Sequence, residues 1–447
     1  MSAPRYLSTR GHAPAVGLSQ AIAAGLAPDG GLYVPERLPR LDPAAFDPAG
    51  SLADTAATLL APFFAGDPLA DALADICAEA LDFPVPLARL PGRDDAQVLE
   101  LFHGPTAAFK DVGARFLAAC LRRLPRADAR PLTILVATSG DTGAAVGAAF
   151  HGMPGVRVAI LYPDGRVSPR QAHQLGSFGG NVQALRVAGR FDDCQRMVKA
   201  ALGDAALQRE LPLSSANSIS LGRLLPQMSY YAHAALGQWR ANGAPLDVIV
   251  PTGNLGNALA AVWVRALGLP VGEIRLACNA NATLPAFFAG EDYRPREALA
   301  TLANAMDVGA PSNFERLRWT FGGDDDAVRR ALRAESVDDA AIRATLRHYA
   351  REHDALFCPH TATALAVLDH EPARPGRLWT VVATAHPAKF ETVLEPLLGR
   401  QVPVPPALAA MLERPAHAQP LAAEEGALAA WLRAWRCGRP DVQTSAA

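Results

Sequence analysis

Lysine is almost missing from this chain of 447 residues. Of its 42 Lys+Arg only three are lysines, Lys110, Lys199 and Lys389, which leaves 42 − 3 = 39 arginines. Arginine neither loses its proton near neutral pH nor forms an imine, whereas lysine does both. Bulk positive charge is therefore carried by guanidinium, and each lysine becomes a candidate for amine chemistry. Close cysteine pairs are also lacking. The six cysteines, at 77, 120, 194, 278, 358 and 437, form no CxxC and no zinc-like Cys/His spacing. That excludes a zinc ribbon or disulfide scaffold and fits reduced thiols in a cytoplasmic protein. No long tract of one charge sign occurs, and the net charge is -2, which argues against nucleic acid or an anionic membrane as the main partner. A membrane helix is not foreseen either. The charge-free stretch from Val248 to Val264 is broken by Pro251, Gly253, Asn254, Gly256 and Asn257. Arg5 and Arg10 are not followed by an apolar core, so no signal peptide is read.

What is present is a globular composition, 50% hydrophobic and 19% charged, in a chain long enough for two or three domains. Residues 1–95 read as a mixed N-terminal subdomain, with helical spacing at Leu52–Leu60 and Leu69–Leu81. From Val98 onward short apolar runs alternate with helical segments. Strands are expected at Val98–Phe102, Leu132–Ala137, Val156–Tyr162, Asp247–Val250, Glu273–Cys278 and Leu378–Ala383. The expected class is α/β, with two doubly wound, mostly parallel sheet domains at 96–240 and 241–447 and a ligand between them. The charged stretch Phe314–Arg351 reads as helical, and one more helix is expected at Gly426–Trp435.

Open α/β sheets bind ligands beyond the carboxyl ends of their strands, and three such loops carry unusual chemistry. The first leads into a helix expected from Thr106, with Lys110 in its first turn beside Phe109 and Val112. The helix dipole and desolvation both disfavour the ammonium there. The second, Thr138-Ser139-Gly140-Asp141-Thr142-Gly143, offers N–H donors and hydroxyls to a carboxylate or phosphate. The third, Pro251-Thr252-Gly253-Asn254-Leu255-Gly256-Asn257, opens a helix in the manner of a single-phosphate cup, and its glycine spacing is not that of a dinucleotide loop. Read singly, the first is also a solvated helix-start lysine and the other two are ordinary capped turns. Read together, a reactive lysine, a phosphate cup and a neutral partner for a pyridine nitrogen, Thr384, point to pyridoxal phosphate.

His103-Gly104-Pro105-Thr106, Phe109-Lys110-Asp111, Ser139–Gly143, Gly253–Asn257 and Thr384-Ala385-His386-Pro387-Ala388-Lys389-Phe390 appear in order along the chain. With Tyr6–Gly11, Asp29–Leu32, Ser215–Ser218 and Asn304–Val308 they resemble the threonine synthases, in the tryptophan-synthase-β-like group (fold type II) of pyridoxal-phosphate enzymes. The resemblance implies that Lys110 forms the Schiff base and acts as general base. It implies that Gly253, Asn254, Leu255, Gly256 and Asn257 hold the cofactor phosphate, that Thr384 meets the pyridine nitrogen, and that Asp141 lies near the cofactor ring. Ser139, Gly140, Asp141 and Thr142 would receive the substrate carboxylate, with Asn217 nearby. Lys389, then Arg170 and His386, would meet the phosphate of O-phospho-L-homoserine, and no metal is implied. Cys358 departs from the pattern, which has an acidic residue there. The implied activity is release of phosphate and formation of L-threonine by a cytoplasmic monomer or homodimer. The rivals are a related lyase, such as a threonine dehydratase, and a silent binding protein of the same fold.

Overall fold

The computed structural model describes residues 3–125, 130–373 and 376–437. Among the described residues thirteen strands form three sheets. A small antiparallel ribbon pairs β1 (Tyr6–Ser8) with β2 (Tyr33–Pro35). A six-stranded sheet contains β3 (Leu87–Arg89), β4 (Ala96–Glu100), β9 (Leu246–Pro251), β10 (Val271–Cys278), β11 (Arg333–Ser336) and β12 (Trp379–Ala383) in the order β11-β10-β9-β12-β4-β3. Only β3 runs antiparallel to its neighbour. The third sheet is wholly parallel, ordered β13-β7-β6-β5-β8, from β5 (Leu132–Ala137), β6 (Val156–Pro163), β7 (Val182–Ala188), β8 (Leu213–Ser215) and β13 (Gln419–Ala422).

The central strands are near-continuous Val, Ile, Leu and Ala runs because helices cover both faces of a parallel sheet. All six residues of β9 and all five of β12 are buried. The α/β reading with two mostly parallel sheets therefore holds, but the sheets do not follow the expected segments. Ala96–Glu100, assigned from sequence to the 96–240 unit, pairs with β12 in the later sheet. Gln419–Ala422, assigned to the 241–447 unit, extends the earlier one beside β7. Pairing between distant strands leaves no trace in local periodicity.

Three local expectations are corrected. The helix after the first of the three loops spans Lys110–Arg123 and does not start at Thr106. Thr106 instead donates its backbone N–H to Asp111 Oδ2 at 2.9 Å and its hydroxyl to Asp111 Oδ1 at 2.7 Å. The 314–351 stretch is three helices, Phe314–Thr320, Asp325–Ala331 and Asp339–Glu352, interrupted by edge strand β11. The tail helix runs Ala427–Arg436, one residue later than expected. In the N-terminal subdomain the helix Leu52–Phe64 starts on a reciprocal Ser51/Asp54 capping box and packs on Met228–Asn242. Among the described residues no helix is long and apolar enough to cross a membrane.

Candidate active site

The carboxyl ends of β5, β9 and β12 open onto one cavity of about 1250 Å³. Lys110, Ser139, Asp141, Thr142, Asn217, Thr384 and the loop Pro251–Asn257 all line it, so segments far apart in sequence meet at one place.

Lys110 is held there by the loop before it. Phe109 N–H donates to Thr384 O at 2.9 Å, His386 N–H donates to Ala107 O at 3.0 Å, and Ala108 bridges Ala385. The loop after β4 is thereby laced to the segment after β12, and Lys110 begins its helix at the seam. Burial pushes the Lys110 amine down to about 8; Asp141 opposes this, while Arg223 and Lys389 reinforce it. An amine so placed is neutral in a useful fraction near physiological pH, as imine chemistry requires.

The cup after β9 has the backbone of an anion site. Leu255, at φ 63°, turns the chain into the helix Gly256–Ala266, whose first N–H groups lack intrahelical acceptors. A Cβ on Gly253 would lie 2.7 Å from the Met306 backbone, so glycine is needed for close packing. At Gly256 the nearest atom to such a Cβ is 3.5 Å away, so its glycine leaves space free. Asn254 braces the loop, donating to Ser218 Oγ and accepting from Ser312 N–H, each at 2.5 Å. Asn257 Oδ1 accepts from the Tyr230 and Tyr231 hydroxyls at 2.6 and 2.8 Å, which fixes the amide orientation. Its Nδ2 is left buried without an acceptor, which costs free energy unless a ligand oxygen arrives.

The loop after β5 divides its labour in a way the sequence did not reveal. Thr138 Oγ1 accepts from the N–H groups of Gly140 and Gly143 at 3.0 and 2.9 Å. Those amides are not free for a substrate, and Gly140 is not on the cavity surface. Gly140 is required by the turn, at φ 130° with Gln171 Nε2 only 2.5 Å from where a Cβ would stand. Ser139, Asp141 and Thr142 remain facing the cavity. Asn217 brackets the end of β5, donating to Ala137 O at 2.7 Å and accepting from Ala137 N–H at 3.2 Å.

The expected phosphate-binding trio is not on the cavity. Lys389 is 0% exposed and pairs with Asp141 Oδ1 at 2.9 Å. Arg170 is tied to Ala388 O and to Glu395, both at 2.9 Å. His386 turns Nδ1 back to accept from Ala388 N–H and meets Phe102 edge to face. Burial lowers its imidazole to about 4, with His103 and Lys389 adding to the effect, so it is no cation near neutral pH. A lysine or arginine in a motif reads alike whether it faces a ligand or a neighbouring carboxylate.

Two residues missed in the sequence do line the cavity. Arg223 is 2% exposed, donates to Ala216 O, has a buried Nε without a partner, and pairs with no carboxylate among the described residues. Its Nε lies 2.8 Å from where a Gly113 Cβ would be, on the Lys110 helix one turn along. An arginine inside the apolar run Leu221–Leu225 was the available signal. His360, 3% exposed, accepts at Nε2 from Ala305 N–H at 3.1 Å, and its Nδ1 is unpartnered. Cys358 caps the helix Pro359–His370 through a 3.4 Å contact from Thr361 N–H, doing the structural work of the missing acid. Burial raises its thiol, and Asp141 also acts on it.

These features fit pyridoxal phosphate: an amine held near neutrality, an open helix-terminus cup, and the orphaned donor Asn257 Nδ2. Comparison with known proteins agrees. Residues 83–385 match the family described as pyridoxal-phosphate dependent enzyme, residues 5–81 the threonine synthase N terminus, and residues 361–431 the threonine synthase C-terminal family. Threonine synthase of Serratia marcescens is 39% identical over 96% of this chain and 99% of its own. That of Escherichia coli is 38% identical over 95% and 98%. The crystal structure of the Escherichia coli enzyme superposes with a TM-score of 0.88 at 37% identity, covering 96% of this chain and 99% of that one. The PLP-bound enzyme of Brucella melitensis superposes at 0.86 with 34% identity over 96% and 99%. By sequence, fold and site, the chain belongs to the threonine synthase family of pyridoxal-phosphate-dependent enzymes.

Proposed function

We propose that this chain converts O-phospho-L-homoserine and water into L-threonine and phosphate. The observation that carries the reading is the Lys110 amine, lowered to about 8 and facing a cavity rimmed by both parallel sheets and the Gly253–Asn257 cup. Bound pyridoxal phosphate supplies the electron sink that makes protons next to the substrate's amino-bearing carbon removable. The cup and Asn257 Nδ2 would hold its phosphate, and Thr384 would offer the ring nitrogen a hydroxyl and no charge.

The remaining chemistry falls to side chains of this protein. Lys110 would take the proton at the substrate's α-carbon as general base, and the β-proton would then be lost. Ser139, Thr142 and Asn217 present donors to the substrate carboxylate. The substrate phosphate needs a cation, and Arg223 is the buried guanidinium on the cavity wall without a carboxylate. Five of the six cysteines are buried and all are free, which supports a reducing, cytoplasmic setting. We read the active form as a monomer or homodimer acting on a small molecule.

Purified protein given O-phosphohomoserine is expected to release phosphate and threonine in equal amounts. A keto acid in place of threonine would assign it to the dehydratase-like lyases. Lys110→Ala is expected to lose the imine absorbance that Lys199→Ala retains, and borohydride is expected to fix the cofactor on Lys110.

A further inference from the structure

The reaction as described makes no use of Lys389. Its Nζ lies 2.9 Å from Asp141 Oδ1 and donates to Thr106 O at 2.8 Å, while its backbone carbonyl accepts from Ser168 Oγ at 2.8 Å. One buried lysine thus joins the loop after β4, the start of the helix Asp141–Phe150, the cap of the helix Pro169–Gly176 and the turn after β12. Asp141 Oδ1 also accepts from Gln171 Nε2 at 3.1 Å, and Asp141 lines the cavity.

We propose that Lys389 is a positioning residue: by pairing with Asp141 it fixes that carboxylate and offsets its charge beside Lys110, so that the Lys110 amine stays available as a neutral base. The proposal rests on reading Lys110 as the imine-forming amine. A neighbouring carboxylate favours the ammonium form of a lysine, and a neighbouring cation disfavours it. The charged and titratable groups around Lys110 are Asp141 from its helix, Arg223 from Leu221–Leu224, His360 from Pro359–His370, and Lys389 from the turn after β12. Despite burial, which acts the other way, Lys389 and Lys110 hold Asp141 well below the usual carboxylate range, with His360 assisting. Removing the Lys389 charge takes a repelling cation from Lys110 and leaves Asp141 unopposed. Both changes drive Lys110 toward ammonium. Removing the Asp141 charge as well cancels the second effect.

Three lysines in the chain make the test direct. The full-length protein freed of cofactor is labelled with acetic anhydride from neutral to alkaline pH, and each lysine peptide is quantified by mass spectrometry. The Lys110 midpoint is expected near 8 in the wild type. It should rise by about one pH unit in Lys389→Met and return most of the way in Lys389→Met/Asp141→Asn. An unchanged midpoint in folded Lys389→Met, or no return in the double variant, overturns the proposal. If Lys389→Met does not fold, Asp141→Asn alone decides: its midpoint should fall below the wild type, and an unmoved value refutes the coupling. Inhibition by inorganic phosphate should be as strong in Lys389→Met as in wild type, whereas weaker inhibition would make Lys389 a phosphate ligand and defeat the idea. Failure of borohydride to fix cofactor on Lys110 would sink the broader reading and leave the labelling midpoints interpretable on their own.

Discussion

His360 resists protonation because it is buried; Lys110 and Lys389 add to this while Asp141 opposes it, and its imidazole is lowered to about 4. The unfolded chain takes up that proton near 6.5. The folded state therefore binds fewer protons in the window between, so its stability is complete above about 6.5 and declines as pH falls toward 4. The contribution is on the order of 3 kcal/mol. Asp307 works in reverse: burial raises it to about 7 against hydrogen bonds from Thr301 and Asn279, so its contribution grows over the same descent. The readout is accordingly a difference. Melting temperature against pH is expected to fall less steeply in His360→Gln than in wild type below pH 6.5, and parallel curves would refute the assignment. At this scale sequence reading singled out cavity-lining residues where chemistry is rare and local. Lys110 was marked by its scarcity and Thr384 by its place at a strand end. It misjudged Lys389 because Thr106, Asp141 and Lys389 become neighbours only once both sheets exist.

The Gly253–Asn257 turn shows how two glycines in one element serve different ends. Gly253→Ala drives a Cβ against the Met306 backbone and is expected to cost roughly 1–3 kcal/mol of stability along with cofactor affinity. Gly256→Ala meets no protein atom closer than 3.5 Å and is expected to weaken cofactor binding while leaving the melting temperature of the cofactor-free protein nearly unchanged. Titration with pyridoxal phosphate alongside thermal melts separates the two. Elements of this kind were legible because a buried parallel strand, a glycine turn and a helix start follow one another within a dozen residues. Strand β11 was not, since Arg333–Ser336 is a short, half-exposed edge between charged helices and lacks the apolar run that marked the others. Gly140 illustrates a finer limit. Its motif was recognised, yet whether an amide serves ligand or turn depends on the Thr138 hydroxyl angle, which composition does not encode.

In the molecule as a whole, residues 419–436 belong with the earlier sheet. Leu421 on β13 and Leu428, Trp431, Leu432 and Trp435 on the last helix share a core with β5, β6, β7 and Phe191–Gly203. Trp431, which also donates to Gln419 Oε1 at 2.7 Å, is 6% exposed. Trp431→Ala is expected to destabilise by about 3–5 kcal/mol, read as a lowered denaturation midpoint, although the residue is not on the cavity. The alternation of strands and helices revealed the class of fold, but the exchange of β4 and β13 between sheets is a property of pairing across hundreds of residues.

That exchange dictates an order of events during synthesis. β12 lies between β9 and β4, so the strand leading to Lys110 has no neighbour on that side until residues 379–383 have left the ribosome. The other sheet keeps an open β7 edge until residue 422 is made. A nascent chain thus carries apolar strand edges until residues 379–383 and 419–422 are made, and its lacing around the amine assembles only after the first of these. Such a chain is expected to depend on holding factors, and to yield no active N-terminal fragment, for reasons of topology alone.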